Sequence, residues 1–372
     1  MPRPEAKAYQ RAKIRLFLAD LALAFLLLLL LQFSGLSVRM GEISASAPPA
    51  LRDALYLFLF FNALQIPAMP LQFYAGYVLE KKYSLSTQTL QAWLADAAKR
   101  YALSLVFFLA VTGGFLWLLR AFPDRWWIFA AGGWFLVTFV VAQLFPTVLI
   151  PLFYPTRPLP DGPLRQRILA LCARLRVRVL DVYEISLSKK TRKANAAVVG
   201  IGPTRRILLG DTLIAEFPPE EVEMVIAHEL GHHVRRHVSR SFVFNAAAVT
   251  LGFFILQTLS KILLARTGAS NLADPAVFPL VAFLSSLGGL ALMPIQNGHS
   301  RHMEREADAF ALDLLPSDAV FSALMTRLAA LNLSDPEPSP WVEKLFYSHP
   351  SLHNRIRHGR SVLQRRGGPA AT

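Results

Sequence analysis

The sequence predicts a mainly α, polytopic membrane helical bundle of about six spans, with polar regions that include a small β hairpin or sheet. Two observations carry this. The chain has 372 residues, is 53% hydrophobic and has a mean hydropathy of +0.38, too apolar for an ordinary soluble protein. Six apolar stretches are also long enough to cross a bilayer, and Lys and Arg collect in the gaps between them. That distribution accounts for the net charge of +14 without nucleic acid, for which no binding motif is present. The single cysteine, Cys172, excludes an intrachain disulfide and fits a reducing compartment.

The spans fall at about 15–36, 54–79, 101–119, 126–153, 242–265 and 276–296. The first follows Arg11, Lys13 and Arg15 and precedes Ala45-Ser46-Ala47, the layout of a signal peptide. It is too long for one, Asp20 interrupts it and Pro48-Pro49 obstructs cleavage, so it reads as an uncleaved span. Arg3, Lys7, Arg11, Lys13 and Arg15 put the N-terminus in the cytoplasm, and Lys81, Lys82, Lys99 and Arg100 put the next polar segment on that side too. Asp20, Asn62, Gln65 and Gln72 lie inside spans, where polar groups face a cavity or bond helix to helix.

Four crossings return the chain to the cytoplasm near Pro155, and a two-span hairpin returns it there again at Asn297. The organisation expected is an N-terminal membrane region at 1–154, with a cytoplasmic loop at 80–100. A first polar part follows at 155–240, then the transmembrane hairpin at 241–297 and a second polar part at 298–372. A multi-pass protein results, in the plasma or inner membrane of a prokaryote or the endoplasmic reticulum of a eukaryote, with its chemistry on the cytoplasmic side.

Within the first polar part stands His228-Glu229-Leu230-Gly231-His232. Histidines four apart on a helix share a face, about 40° apart around the axis. Both can grip one Zn²⁺, leaving positions for a third ligand and a water, and Glu229 is placed to take a proton from that water. Phe217-Pro218-Pro219-Glu220-Glu221 reads as the helix start. Arg235, Arg236 and His237 read as its cationic end. His233 and His237 form a second i, i+4 pair, but Val234 stands where the base would be. They read as helix-end cations or as groups supporting the ligands.

A third ligand beyond the hairpin can meet the two histidines because an even number of spans separates them. Residues 300–312 read as a helix, with Glu304 and Asp308 one turn apart on a shared face and Glu306 about 200° away from Glu304. A carboxylate ligand backed by another carboxylate is a sensible pairing. A solvated acidic face is the bland alternative, and His299 and His302 compete as ligands. Earlier in the chain, 194–199 and 206–209 flank Gly200-Ile201-Gly202-Pro203 as a hairpin, whose exposed edge can align an extended peptide.

With these motifs the chain resembles the integral-membrane CAAX prenyl proteases, zinc metalloendopeptidases of the gluzincin class. The likeness runs through 80–90, Pro151-Leu152-Phe153, Asn195-Ala196, 205–213, His228 to His232 with His237, Ser300-Arg301 with Glu304 and Asp308, and Ser348-His349-Pro350 with Arg355. It implies a gluzincin-like protease domain with one Zn²⁺ per chain, held by His228, His232 and Glu304. Asp308 would orient a zinc histidine, with His237 beside the ligands. Asn195, His349 and Arg355 would line the cleft, holding the substrate backbone or steadying the oxyanion. On the residues alone, Asn195 reads as a turn residue and His349 as a loop histidine. The partners expected are the lipid bilayer and a polypeptide substrate, prenylated or membrane-embedded. Larger family members have seven spans around a water-filled chamber; here the count is six, the missing one near the N-terminus.

A membrane-protein quality-control protease shares this chemistry without a prenyl requirement. A site-2 type intramembrane protease carries its zinc motif within a span, against which Arg235 and Arg236 argue. A non-enzymatic scaffold with structural zinc would close all four metal positions with protein ligands.

Overall fold

The computed structural model describes residues 4–200 and 204–367. Six of its helices are long and apolar enough to cross a membrane, at the six places the hydropathy pattern indicates. Helix α1 is Pro4–Phe33, and a short α2, Leu36–Ala45, packs beside α3, Arg52–Phe73. A π-helical turn at Tyr74–Val78 carries α3 into α4, Leu79–Lys82. Then come α5, Leu90–Ala121, and α6, Trp126–Leu144, which a second π turn at Phe145–Leu149 joins to α7, Ile150–Phe153. Pro70 precedes the first π turn and Pro146 lies within the second; at each a missing N–H loosens the i to i−4 ladder.

Apolar side chains such as Leu26, Val106 and Val243 stay exposed on these helices, as a lipid-facing surface requires. Three of the polar residues within spans are settled by bonding. Asn62 on α3 accepts from Tyr101 Oη of α5 at 2.6 Å, and Gln65 donates to Gln72 on its own helix at 2.9 Å.

The polar parts fold around their own apolar core. Its sheet consists of β1 Thr156–Pro158, β2 Val182–Ile185, β3 Ala196–Val199 and β4 Arg206–Gly210, with α8 Pro163–Arg174 between the first two strands. The strand order is β1-β2-β4-β3, with β2 and β4 parallel and the outer pairs antiparallel. The hairpin is therefore present, enlarged by two strands, and β3 is an edge. Gly200 turns it with a φ of +87°, and a Cβ there would meet the Thr204 carbonyl oxygen at 2.5 Å; residues 201–203 of the turn lie outside the described residues.

After α9, Asp211–Glu216, helix α10 runs over Pro219–Val234. It begins at the proline the sequence indicates but ends earlier than expected. Arg236 adopts a left-handed conformation with φ +56°, and His237 opens α11, His237–Thr267. His237 thus belongs to the next helix, not to the cationic end of α10. Helix α12 is continuous over Phe278–Leu314, joining the last span to the Glu304 segment in one 37-residue element. Helices α13 Asp318–Leu331, α14 Pro340–Phe346 and α15 Leu352–Gly367 complete the chain. The core joins Ile207 and Leu209 of β4, Met224, Ile226 and Leu230 of α10, Ala311 and Leu312 of α12 and Phe321 and Leu324 of α13.

Candidate metal centre

Helices α10 and α12 pack closely because Gly231 presents no side chain. A Cβ there would meet the Phe310 ring and Cβ at 3.0–3.3 Å. This approach brings His228, His232 and Glu304 together, with one ligand atom from each lying within 4.8 Å of the others. His228 Nε2 and His232 Nε2 are 3.2 Å apart, and each lies 3.4 Å from a Glu304 oxygen. In a tetrahedral site with bonds of 2.0–2.1 Å, neighbouring ligand atoms stand about 3.4 Å apart.

Glu304 Oε2 is buried yet has no hydrogen-bond partner, although His228 Nε2 is near. The spacing suits atoms converging on a shared ion better than a direct bond. Burial works against a proton on His228, but the Asp308 and Glu304 carboxylates more than offset it and raise its pKa. Groups that attract a proton so strongly also attract a metal ion. The donor set therefore fits a metal. His299 and His302 do not join it: His299 stacks on Phe244, and His302 pairs with Glu306 at 3.3 Å.

Each histidine is backed by a carboxylate. Asp308, 0% exposed, lies 2.9 Å from His228 Nδ1. Arg355 forks onto Asp308, with Nε donating at 2.8 Å and Nη2 closing the pair. Arg355 does line the cleft, but its guanidinium is committed to Asp308. On the other side His232 Nδ1 meets His237 Nδ1 at 2.9 Å, and His237 Nε2 meets Glu306 Oε2 at 2.8 Å. The tautomers that satisfy this chain put protons on His232 Nδ1 and His237 Nε2, leaving His232 Nε2 free for the cluster. Burial lowers the His237 pKa against the pull of Glu306, consistent with a neutral ring. Glu306, set aside because it points away from Glu304, thus supports His232 from the opposite face.

Glu229, Asn195, His349 and Arg355 line one cleft of about 220 Å³ with His228 and Glu304. Among the described residues nothing hydrogen-bonds the Glu229 carboxylate. His349 stands at the mouth, 61% exposed, with Nε2 3.4 Å from Glu304 Oε1. The surrounding cleft wall lowers its pKa, with Glu304 opposing and Arg355 reinforcing the shift. Arg301 holds the loop that presents it, donating from Nη1 to the carbonyls of Glu343 at 2.9 Å and Tyr347 at 2.6 Å. Sequence reasoning quoted Arg301 without giving it a task. It also missed Asn332, whose amide bonds the backbone beside Asn195; neither contact has a local sequence signal.

A helical membrane bundle whose cleft gathers two histidines and a glutamate is, as a class, a membrane metallopeptidase. The comparisons agree. Residues 158–362 match the model of peptidase family M48, and 4–155 match that of the CAAX prenyl protease N-terminal region with five membrane helices. The chain is 29% identical to the uncharacterized metalloprotease YhfN of Bacillus subtilis over 95% of this chain and 84% of that one. It is 31% identical to the CAAX prenyl protease 1 homolog of Oryza sativa over 78% and 69%. The crystal structure of S. mikatae Ste24p superposes with a TM-score of 0.83 at 24% identity, covering 95% of this chain and 88% of that one.

The chain belongs to peptidase family M48, in its CAAX prenyl protease branch. It is an integral, multi-pass membrane metalloendopeptidase that acts on polypeptide with a metal ion as cofactor. Its 4–155 region has four spans where that region is described with five membrane helices.

Proposed function

We propose that this protein is a zinc-dependent endopeptidase that hydrolyses membrane or membrane-associated polypeptides in the manner of a CAAX protease. The convergence of His228, His232 and Glu304, two of which line a cleft together with Glu229, carries this reading. One Zn²⁺ per chain, held by those three, supplies a Lewis acid that brings the pKa of water towards 7.

The rest falls to the protein. The Glu229 carboxylate takes the proton of the attacking water and hands it to the leaving nitrogen. His349 Nε2 hydrogen-bonds the scissile carbonyl oxygen as its charge develops. The Asn195 side chain, exposed beside the edge strand, holds the substrate backbone. Asp308 and His237 keep His228 and His232 turned with Nε2 inward, and Arg355 acts through Asp308.

The cleft faces the cytoplasm on this reading, because the basic segments flank the spans on that side. The two catalytic parts, 155–240 and 298–372, are separated in sequence by the 241–297 hairpin. The test is Glu229→Gln in detergent, assayed on a prenylated CAAX peptide and an unprenylated membrane-protein fragment. Cleavage should fall at least about a hundredfold with the metal still bound; full activity refutes the mechanism. Wild-type cleavage of the second substrate alone assigns the protein to quality control.

A further inference from the structure

The outer edge of β3 is capped at both ends. In the antiparallel pairing with β4, Asn195 accepts from Gly210 N–H at 2.9 Å. With Ala196 opposite Leu209 and Val198 opposite Ile207, residues 195, 197 and 199 face β4. The backbone groups of 194, 196 and 198 then point away from it. Of these groups, both of Ala194 and the carbonyl of Val198 are occupied. Asn332, immediately after α13, accepts from Ala194 N–H through Oδ1 at 3.0 Å and donates from Nδ2 to the Ala194 carbonyl at 3.3 Å. This pair of bonds is what a neighbouring strand would make. At the other end His233 Nε2 donates to the Val198 carbonyl at 3.2 Å. Between them, the Ala196 N–H and carbonyl have no partner among the described residues, and Ala196 lines the same cleft as Glu229 and His349.

We infer that Asn332 and His233 leave the Ala196 carbonyl as the one open acceptor on the outer edge of β3 among the described residues, so that the strand takes one substrate N–H and no more. This rests on the peptidase reading. An extended peptide laid on the edge in either direction offers N–H groups to outward carbonyls two residues apart. The Ala194 and Val198 carbonyls are already taken, which leaves the Ala196 carbonyl as the acceptor. Asn332 is a positioning residue: it acts on the strand, not on the peptide. The rest of the hold on the peptide meets its carbonyls, through the outward N–H groups of Ala196 and Val198 and through Asn195 Nδ2 and His349 Nε2, so the enzyme reads a short stretch of chain.

The test uses the purified full-length protein and the shortest fluorogenic peptide it cleaves from the two substrates named above, with each amide N–H other than that of the scissile bond replaced in turn by an ester oxygen. One position should lower kcat/KM by about tenfold or more, the effect of an unmade hydrogen bond to a desolvated carbonyl, and the others by less than about threefold. In Asn332→Ala the freed Ala194 carbonyl should create a second sensitive position two residues from the first. A wild type with two such positions, or with none, overturns the inference, and so does an Asn332→Ala profile identical to the wild type. If that variant does not fold, the wild-type scan alone decides. A wild type that cleaves no peptide, or that loses nothing in Glu229→Gln, fails at the peptidase reading and takes the inference with it.

Discussion

Asp308→Ala probes the electrostatic support of the cluster. The carboxylate is fully buried, lies 2.9 Å from His228 Nδ1 and takes the fork of Arg355, whose side chain is only 14% exposed. Removing it leaves a desolvated guanidinium without its partner, a change that costs about 3–5 kcal/mol in comparable buried pairs. It also frees the His228 ring to turn or to change tautomer, which lowers metal affinity by about 10–100-fold.

The two effects separate in the double variant Asp308→Ala/Arg355→Leu. Deleting both charges recovers most of the stability, whereas the His228 support stays lost. Affinity is read by chelator competition on the full-length protein in detergent, and stability by its unfolding transition followed through tryptophan fluorescence. An Asp308→Ala protein that binds metal within about twofold of wild type, or a double variant that regains full affinity, would show that Asp308 does not hold His228.

Other outcomes follow from the same geometry. Gly231→Ala puts a Cβ against Phe310 and pushes α10 from α12 by a few tenths of an ångström; activity should fall by roughly tenfold or more. A Phe310→Leu change made with it should recover much of that loss, as kcat/KM comparisons will show. Cys172 is buried, and burial pushes its pKa up to about 11. Thiol reagent should therefore react only on unfolding, with one equivalent per chain. The sign is that of a group kept neutral by folding: its contribution is complete below about pH 8.5 and is lost as pH rises towards about 11. Unfolding transitions across that range will reveal the decline.

The spans were legible because lipid asks one thing of a sequence, an apolar run of sufficient length, and the six runs supply it. The His228 and His232 pair was legible for a similar reason, since helical periodicity alone puts them on one face. Glu304 was harder. Its rivals His299 and His302 are close in sequence, and only the rotation of a continuous α12 turns one of the three towards α10. The break after Val234 had no proline or glycine to announce it, since Arg236 takes the left-handed turn, and so His237 was assigned to the wrong helix. Glu306, Arg301 and Asn332 act across contacts between residues 42 or more apart in sequence, and no local pattern encodes such a meeting.

Helix α12 is one rod from Phe278 to Leu314, and Glu304 stands 26 residues along it, about 39 Å from its start. Helix α10 passes into α11 through a corner of only two residues, Arg235 and Arg236. Both walls of the cluster are thus bolted to spans, and the cluster cannot rise or sink without tilting them. Height above the bilayer becomes a fixed gauge. On the proposed reading, a peptide anchored in the same bilayer would meet the cleft only at the point along its chain that reaches this height, and the distance from anchor to bond would select the bond before any side chain is read.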